Sequence, residues 1–192
     1  MNQYLAASEF IDFDHQLVAR KAQELADESR EQHDLIKRCF HFVRDAIKHS
    51  VDYKLNPVTC KASDVLRHGT GYCYAKSHLL AALLRFHGIP TGLCYQRLSL
   101  HGHGAPYCLH GLNAVHLPEI GWYRLDARGN KAGVDAQFCP PREAVAFAVL
   151  DSCERNLAEI WGEPLPVVVN ALTRYTTYEQ VLQHLPDIEL LP

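Results

Sequence analysis

The chain has 192 residues, of which 47% are hydrophobic and 21% charged, proportions that supply an apolar core for one ordinary domain. Its formal net charge of -3 provides no basic field, so neither nucleic acid nor an anionic membrane is expected as a partner. The opening stretch MNQYLAASEFIDFDHQ has no basic region leading into an apolar one, and no apolar run is long enough to span a bilayer, so a cytoplasmic location is expected.

From Asp14 to about Lys48 apolar residues recur at three and four positions, which predicts two helices. Asp14 is placed to cap the first; Ser29 is placed to cap the second, with Gln32 in capping-box position. Val51 to Leu55 reads as a short extended piece ended by Asn56-Pro57, and Ser63 to Arg67 as a brief helical turn. Ala75, Leu79, Ala82, Leu83 and Phe86 then line one stripe of a buried helix of about four turns, stopped by Gly88 and Pro90. Beyond it the period becomes strand-like over Gly92 to Leu98, His110 to Leu117 and Trp122 to Asp126, the last two joined as a hairpin by Pro-Glu-Ile-Gly. Residues 101 to 106 form a loop, Ala144 to Leu150 a further strand, and Val167 to Leu172 and Tyr178 to Leu185 short closing helices. The order predicts a single α+β domain over 1–192, with an N-terminal helical part at 14–48, a core at about 60–130 and C-terminal helices at 164–186.

Seven cysteines without regular spacing cannot pair completely within one chain, and reduced thiols are expected. Cys73 stands apart because it begins the central helix just after Gly69 and Gly71. There the unpaired N–H groups and the positive end of the helix dipole favour a thiolate and can stabilise an oxyanion. His110 opens one strand and Asp126 closes the next, so the hairpin returns the carboxylate to the level of the imidazole. A carboxylate-oriented imidazole is what a thiol nucleophile requires. On position alone the same residues also fit a packed thiol, a strand-edge histidine and a turn-forming aspartate.

Gly71-Tyr-Cys73, the Leu-Leu-Ala-Ala-Leu-Leu-Arg helix, Gly88-Ile-Pro90 and HGLNAVHLPEIGWYRLD ending at Asp126 together resemble the transglutaminase-like superfamily over about residues 60 to 130. The resemblance implies a papain-like α+β core in which the cysteine helix packs on an antiparallel sheet. It makes Cys73 the nucleophile, His110 the general base and acid, and Asp126 the residue that orients His110. It implies cysteine-dependent amide hydrolysis or acyl transfer through a thioester, on a peptide or other amide, with no metal or organic cofactor. The chain departs from the family pattern at Leu112 and Ala114, which alters the expected sheet lining, and at Ala127 to Lys131, where a proline-containing turn is more usual.

A non-catalytic peptide-binding module on the same fold is the alternative, and the presence of all three residues argues against it. His101, His103, Cys108 and His110 offer nitrogen and sulfur ligands of the kind zinc prefers, but short HxH and CxH coincidences are common in a chain with twelve histidines. Cys108 shares a strand face with His110 if the strand begins early enough. Trp122 is read as a shield for the hairpin, Cys39 and Cys94 as core thiols, and His78 and His87 as partly exposed helix positions. His15 and Asp12 are read as parts of a helix start.

Overall fold

The computed structural model describes residues 1–188. After a 3-10 turn at Asn2–Tyr4, helices α1 (Gln16–Asp27) and α2 (Gln32–His41) bury Val18, Ala22, Ile36 and Phe40, and α2 continues into a π-helical turn at Phe42–Ala46. Strand β1 (Lys48–His49), helices α3 (Ser50–Tyr53) and α4 (Ala62–His68), and strand β2 (Thr70–Gly71) lead into α5 (Cys73–Phe86). Strands β3 (Thr91–Ser99), β4 (Tyr107–Leu117) and β5 (Gly121–Leu125) follow. Two short strands, β6 (Gln137–Cys139) and β7 (Arg142–Ala144), form a hairpin. Strand β8 (Arg155–Asn156), α6 (Pro166–Arg174) and α7 (Tyr178–Gln183) close the fold.

The main sheet has the order β5-β4-β3-β8 and is antiparallel throughout. Helix α5 lies against one of its faces. Leu79, Leu80, Leu83 and Leu84 are fully buried there, and each contributes about 2 kcal/mol of apolar burial. From the sheet side, Asn113 Nδ2 donates to Ser77 O at 2.9 Å, so odd-numbered residues of β4 face the helix. The even-numbered face carries Cys94, Leu112 and Ala114 in a separate small cluster covered by Val145, Ile160 and Trp122. This is an α+β, papain-like architecture: a central cysteine helix on an antiparallel sheet with flanking helices.

Several local expectations are corrected. The first helix is capped by His15, whose Nδ1 accepts from Leu17 N, and not by Asp14. Asp12 instead accepts from Ser63 N at the start of α4. Ser29 does not cap α2; it follows α1 and donates to Leu25 O, back-bonding a carbonyl left free at that helix's end. Val51 to Leu55 is not extended: it falls in the α3 turn, whose last residue gives way to Lys54 at φ +54°. Ala144 to Leu150 is not a strand beyond Ala144, because its N–H groups turn to carboxylates, Ala146 to Asp126 and Leu150 to Glu154.

His78 is fully buried, as are Lys76 and Arg85 beside it, while His87 is half-buried and bonds Ala22 O. Each buried group satisfies distant carbonyls: Lys76 Nζ those of Ile47 and Arg44 at 2.6 and 3.3 Å, Arg85 those of Thr91, Ala6 and Gly162, and His78 that of Cys60. Lys76 thereby ties the π-helical turn to α5. Burial pulls the Lys76 ammonium down to about 7, the neighbouring Arg128 charge adding to it.

Candidate active site

Two short segments fix where Cys73 stands. Strand β1 pairs in parallel with β2, Lys48 opposite Thr70 and His49 opposite Gly71, which anchors the chain just before α5. At Gly71 a Cβ would come within 3.1 Å of Thr59 Oγ1 and 3.2 Å of Ala75 Cβ, so the entry to the helix is packed against its own first turn. Cys73 is the first residue of α5, and no side chain caps that end. Its N–H, at the first helical position, has no intrahelical partner and can serve an incoming oxyanion.

The sheet meets the thiol at an open edge. Strand β5 pairs with β4 only from Leu117 to Asn113, so the outer edge of β4 before Asn113 has no strand partner. Two of its N–H groups find other acceptors: Leu109 N–H bonds Pro186 O at 2.7 Å, and Gly111 N–H bonds Cys73 Sγ at 3.4 Å. Gly111 makes this approach possible. A Cβ at that position would lie 2.9 Å from Tyr74 Cδ1, 3.0 Å from Tyr74 Cα and 3.2 Å from Tyr74 N. The Tyr74 hydroxyl reaches along the same edge to bond Leu109 O.

His110 and Asp126 lie on the other sheet face. His110 Nε2 donates to Asp126 Oδ2 at 2.8 Å, which leaves Nδ1 for a second partner. Asp126 has no exposed surface, and its oxygens also accept from Ala146 N and Arg128 N at 3.0 and 3.1 Å. Burial opposes ionisation of Asp126, but the His110 charge and these N–H groups hold its carboxyl below the usual range. Burial likewise opposes the charge on His110; the Asp126 carboxylate, with Cys73 nearby, overrides it and raises the imidazole to about 10. The ring is pinned from its flank by Phe147, edge-on with centroids 4.9 Å apart, and Gln96 Nε2 holds the Phe147 carbonyl at 3.1 Å. The structure thus brings Cys73, His110 and Asp126 together, with Cys73 and His110 on the wall of one cavity of about 300 Å³.

Sequence reasoning passed over four contributors. Gly111 carried a readable signal, since a glycine inside a strand marks a close backbone approach. His49 carried none: it is 7% exposed and lines the cavity, and its Nδ1 has no hydrogen-bond partner. Burial, with the nearby Arg128 charge, keeps His49 neutral by holding its pKa well below the ordinary value. Asp52 and Arg128 meet across 76 residues of sequence, through bonds of 2.6 and 3.1 Å, a pairing no local pattern announces.

Other expectations fall elsewhere. Cys108 lines the cavity, because β4 begins at Tyr107 and so places it on the His110 face; burial pushes its thiol up to about 12. Leu112 and Ala114 sit under Val145 and Ile160 and do not line the cavity. Trp122 packs edge-on against Tyr4 and His116, away from the cavity. His101 and His103 lie in an exposed loop, and among the described residues no cluster of three or more metal-ligating side chains occurs.

A sequence model described as the transglutaminase-like superfamily matches residues 19–127, a span that contains Cys73, His110 and Asp126. No curated protein matches the chain. Among solved structures it is similar to a candidate cysteine protease from Cytophaga hutchinsonii, with TM-score 0.53 and 17% identity over 65% of this chain and 40% of that one. It also aligns with the periplasmic domain of TgpA from Pseudomonas aeruginosa, with TM-score 0.47 and 19% identity over 65% of this chain and 45% of that one. The chain thus spans less than half the length of either protein, and at such identities the likeness to the first is one of fold.

Proposed function

Because the chain belongs to the transglutaminase-like superfamily, we propose that it is a cysteine-dependent amide hydrolase or acyltransferase that works through a thioester on Cys73. The observation that carries this reading is the convergence of Cys73 at an uncapped helix start with a buried His110–Asp126 pair bonded at 2.8 Å.

In the reaction, with the thiol proton already held on His110, the Cys73 thiolate attacks the amide carbonyl carbon, forming the C–S bond. The developing oxyanion is held by the Cys73 N–H at the positive end of α5. His110, now imidazolium, gives its proton to the departing nitrogen as the C–N bond breaks. Asp126 keeps the ring oriented and its charge supported throughout. Water or an amine then attacks the thioester, passes a proton to His110, and releases Cys73 as the leaving group.

The test is a panel of peptide aminomethylcoumarins and glutamine-containing peptides, followed by amine or ammonia release, with Cys73→Ala, His110→Ala and wild type side by side. Release by wild type alone is the expected result. Release that persists in Cys73→Ala overturns the reading.

A further inference from the structure

The cavity beside Cys73 has two chemically different stretches of wall. Leu98, Leu100, Leu182 and Leu185 form an apolar one, drawn from the end of β3 and from α7 and the residue pair after it. At its mouth Leu100 and Leu182 are 41% and 43% exposed. Leu150, 74% exposed, follows in the chain segment that Glu154 ties to the end of β3 through Leu150 N and Ser99 N. Exposed leucines gathered at the rim of a catalytic cleft mark a surface meant to be covered by a ligand.

The second stretch is built from Asp52, Arg128 and Lys131. Arg128 spends two N–H groups on Asp52, while Lys131 makes one contact to it, at 2.7 Å. Two cations thus face one carboxylate, and the excess charge sits on the Lys131 ammonium, whose side chain is 46% exposed and keeps N–H donors to spare. Asp126 does not cancel this excess, since it is already matched by His110. His49 lies behind the same stretch, its buried Nδ1 3.7 Å from Asp52 and without a hydrogen-bond partner. A local surplus of positive charge in a chain of net charge -3 points to an acidic ligand group.

We propose that the cleft selects amide substrates that carry both an apolar side chain, seated on the leucines, and a carboxylate, held by Lys131. This deepens the reading of Cys73 as the nucleophile and rests on it. It assigns specificity to the segment from Ala127 to Lys131, where the chain departs from the usual family pattern.

The experiment uses acetylated tetrapeptide amides with one Leu or Ser and, on either side of it, Asp, Asn or Lys. Binding is measured by fluorescence anisotropy of labelled peptides to Cys73→Ala protein, and turnover with the intact enzyme. Leu/Asp peptides are expected to bind about tenfold more tightly than Leu/Asn, with Leu/Lys weaker still and Ser peptides about tenfold weaker than their Leu counterparts. Lys131→Glu should reverse the Asp and Lys order, and Lys131→Met, which leaves Asp52 paired with Arg128, should flatten it. Equal binding of Asp, Asn and Lys peptides, an order unchanged in both variants, or binding by none overturns the proposal. Because Cys73→Ala has no nucleophile, a charge ranking there without turnover by the intact enzyme would instead count against the catalytic reading alone.

Discussion

Gly111→Ala tests how tightly the sheet edge and the cysteine helix must meet. The added Cβ would stand 2.9 Å from Tyr74 Cδ1 and 3.0 Å from Tyr74 Cα, and the second of these is backbone that no rotamer change can move. Carbon atoms rest at about 3.5–4.0 Å, so β4 and the first turn of α5 must part by about 0.5–1 Å. That separation falls between His110 on β4 and Cys73 on α5. A misplacement of about 1 Å between reacting groups costs about a hundredfold, so kcat/KM should fall roughly 10- to 100-fold. Overpacking of this kind costs about 1–3 kcal/mol, or very roughly 2–10 °C in Tm for a chain of this size. The assay is peptide-amide turnover beside a calorimetric melt, with the rate of Cys73 alkylation by iodoacetamide as a substrate-independent readout. A variant whose melt, turnover and alkylation rate all lie within twofold or 1 °C of wild type would refute the packing argument.

Asp126→Asn removes the charge that supports imidazolium and leaves an amide where His110, Arg128 N and Ala146 N all donate; kcat/KM should fall by about 10²- to 10⁴-fold, and a loss under threefold would contradict the assigned role. Since the charged form of His110 is favoured up to about 10, its contribution to stability is complete below about 6.5 and fades as pH rises through about 10. Activity should accordingly hold to about pH 10 and fall above it; a drop centred near pH 7 in a pH–rate profile would contradict this. Lys76 has the opposite sign: its folded value near 7 lies below the ordinary 10.5, so folded protein binds fewer protons in that window and stability rises with pH across it. Urea titrations should show wild type gaining up to roughly 5 kcal/mol on Lys76→Met between pH 7 and 10.5, and parallel pH curves would contradict the burial of a lysine charge.

The parts of the fold that were legible in sequence are those written in local chemistry. The glycine turn, the leucine stripe and Gly88 define α5 wherever it packs, and the Pro-Glu-Ile-Gly turn sets a hairpin that pairs as far as Asn113 and Leu125, just beyond which Asp126 meets His110 at 2.8 Å. What stayed hidden depends on partners far along the chain. Lys76, His78 and Arg85 look like a polar helix face until the carbonyls they satisfy, as distant as Gly162, come into place. Strand β8 is two residues long and exists only because β3 offers Gln96 and Arg97 as partners. Ala144 to Leu150 has strand-like residues, yet the carboxylates of Asp126 and Glu154 take two of its N–H groups and bend it over the site. Gly111 was readable in kind and not in place, since only the folded edge reveals that Tyr74 is what it must admit.

The most direct test of the central claim is the rate of iodoacetamide alkylation of each cysteine as a function of pH, read by peptide mass spectrometry in wild type and in His110→Ala. Cys73 is expected to react at pH 7 at least about tenfold faster than Cys108, which shares the cavity and whose thiol burial pushes up to about 12. That advantage should vanish in His110→Ala while Cys108 is unchanged. Equal, slow alkylation of Cys73 in both proteins would contradict an activated cysteine–histidine pair.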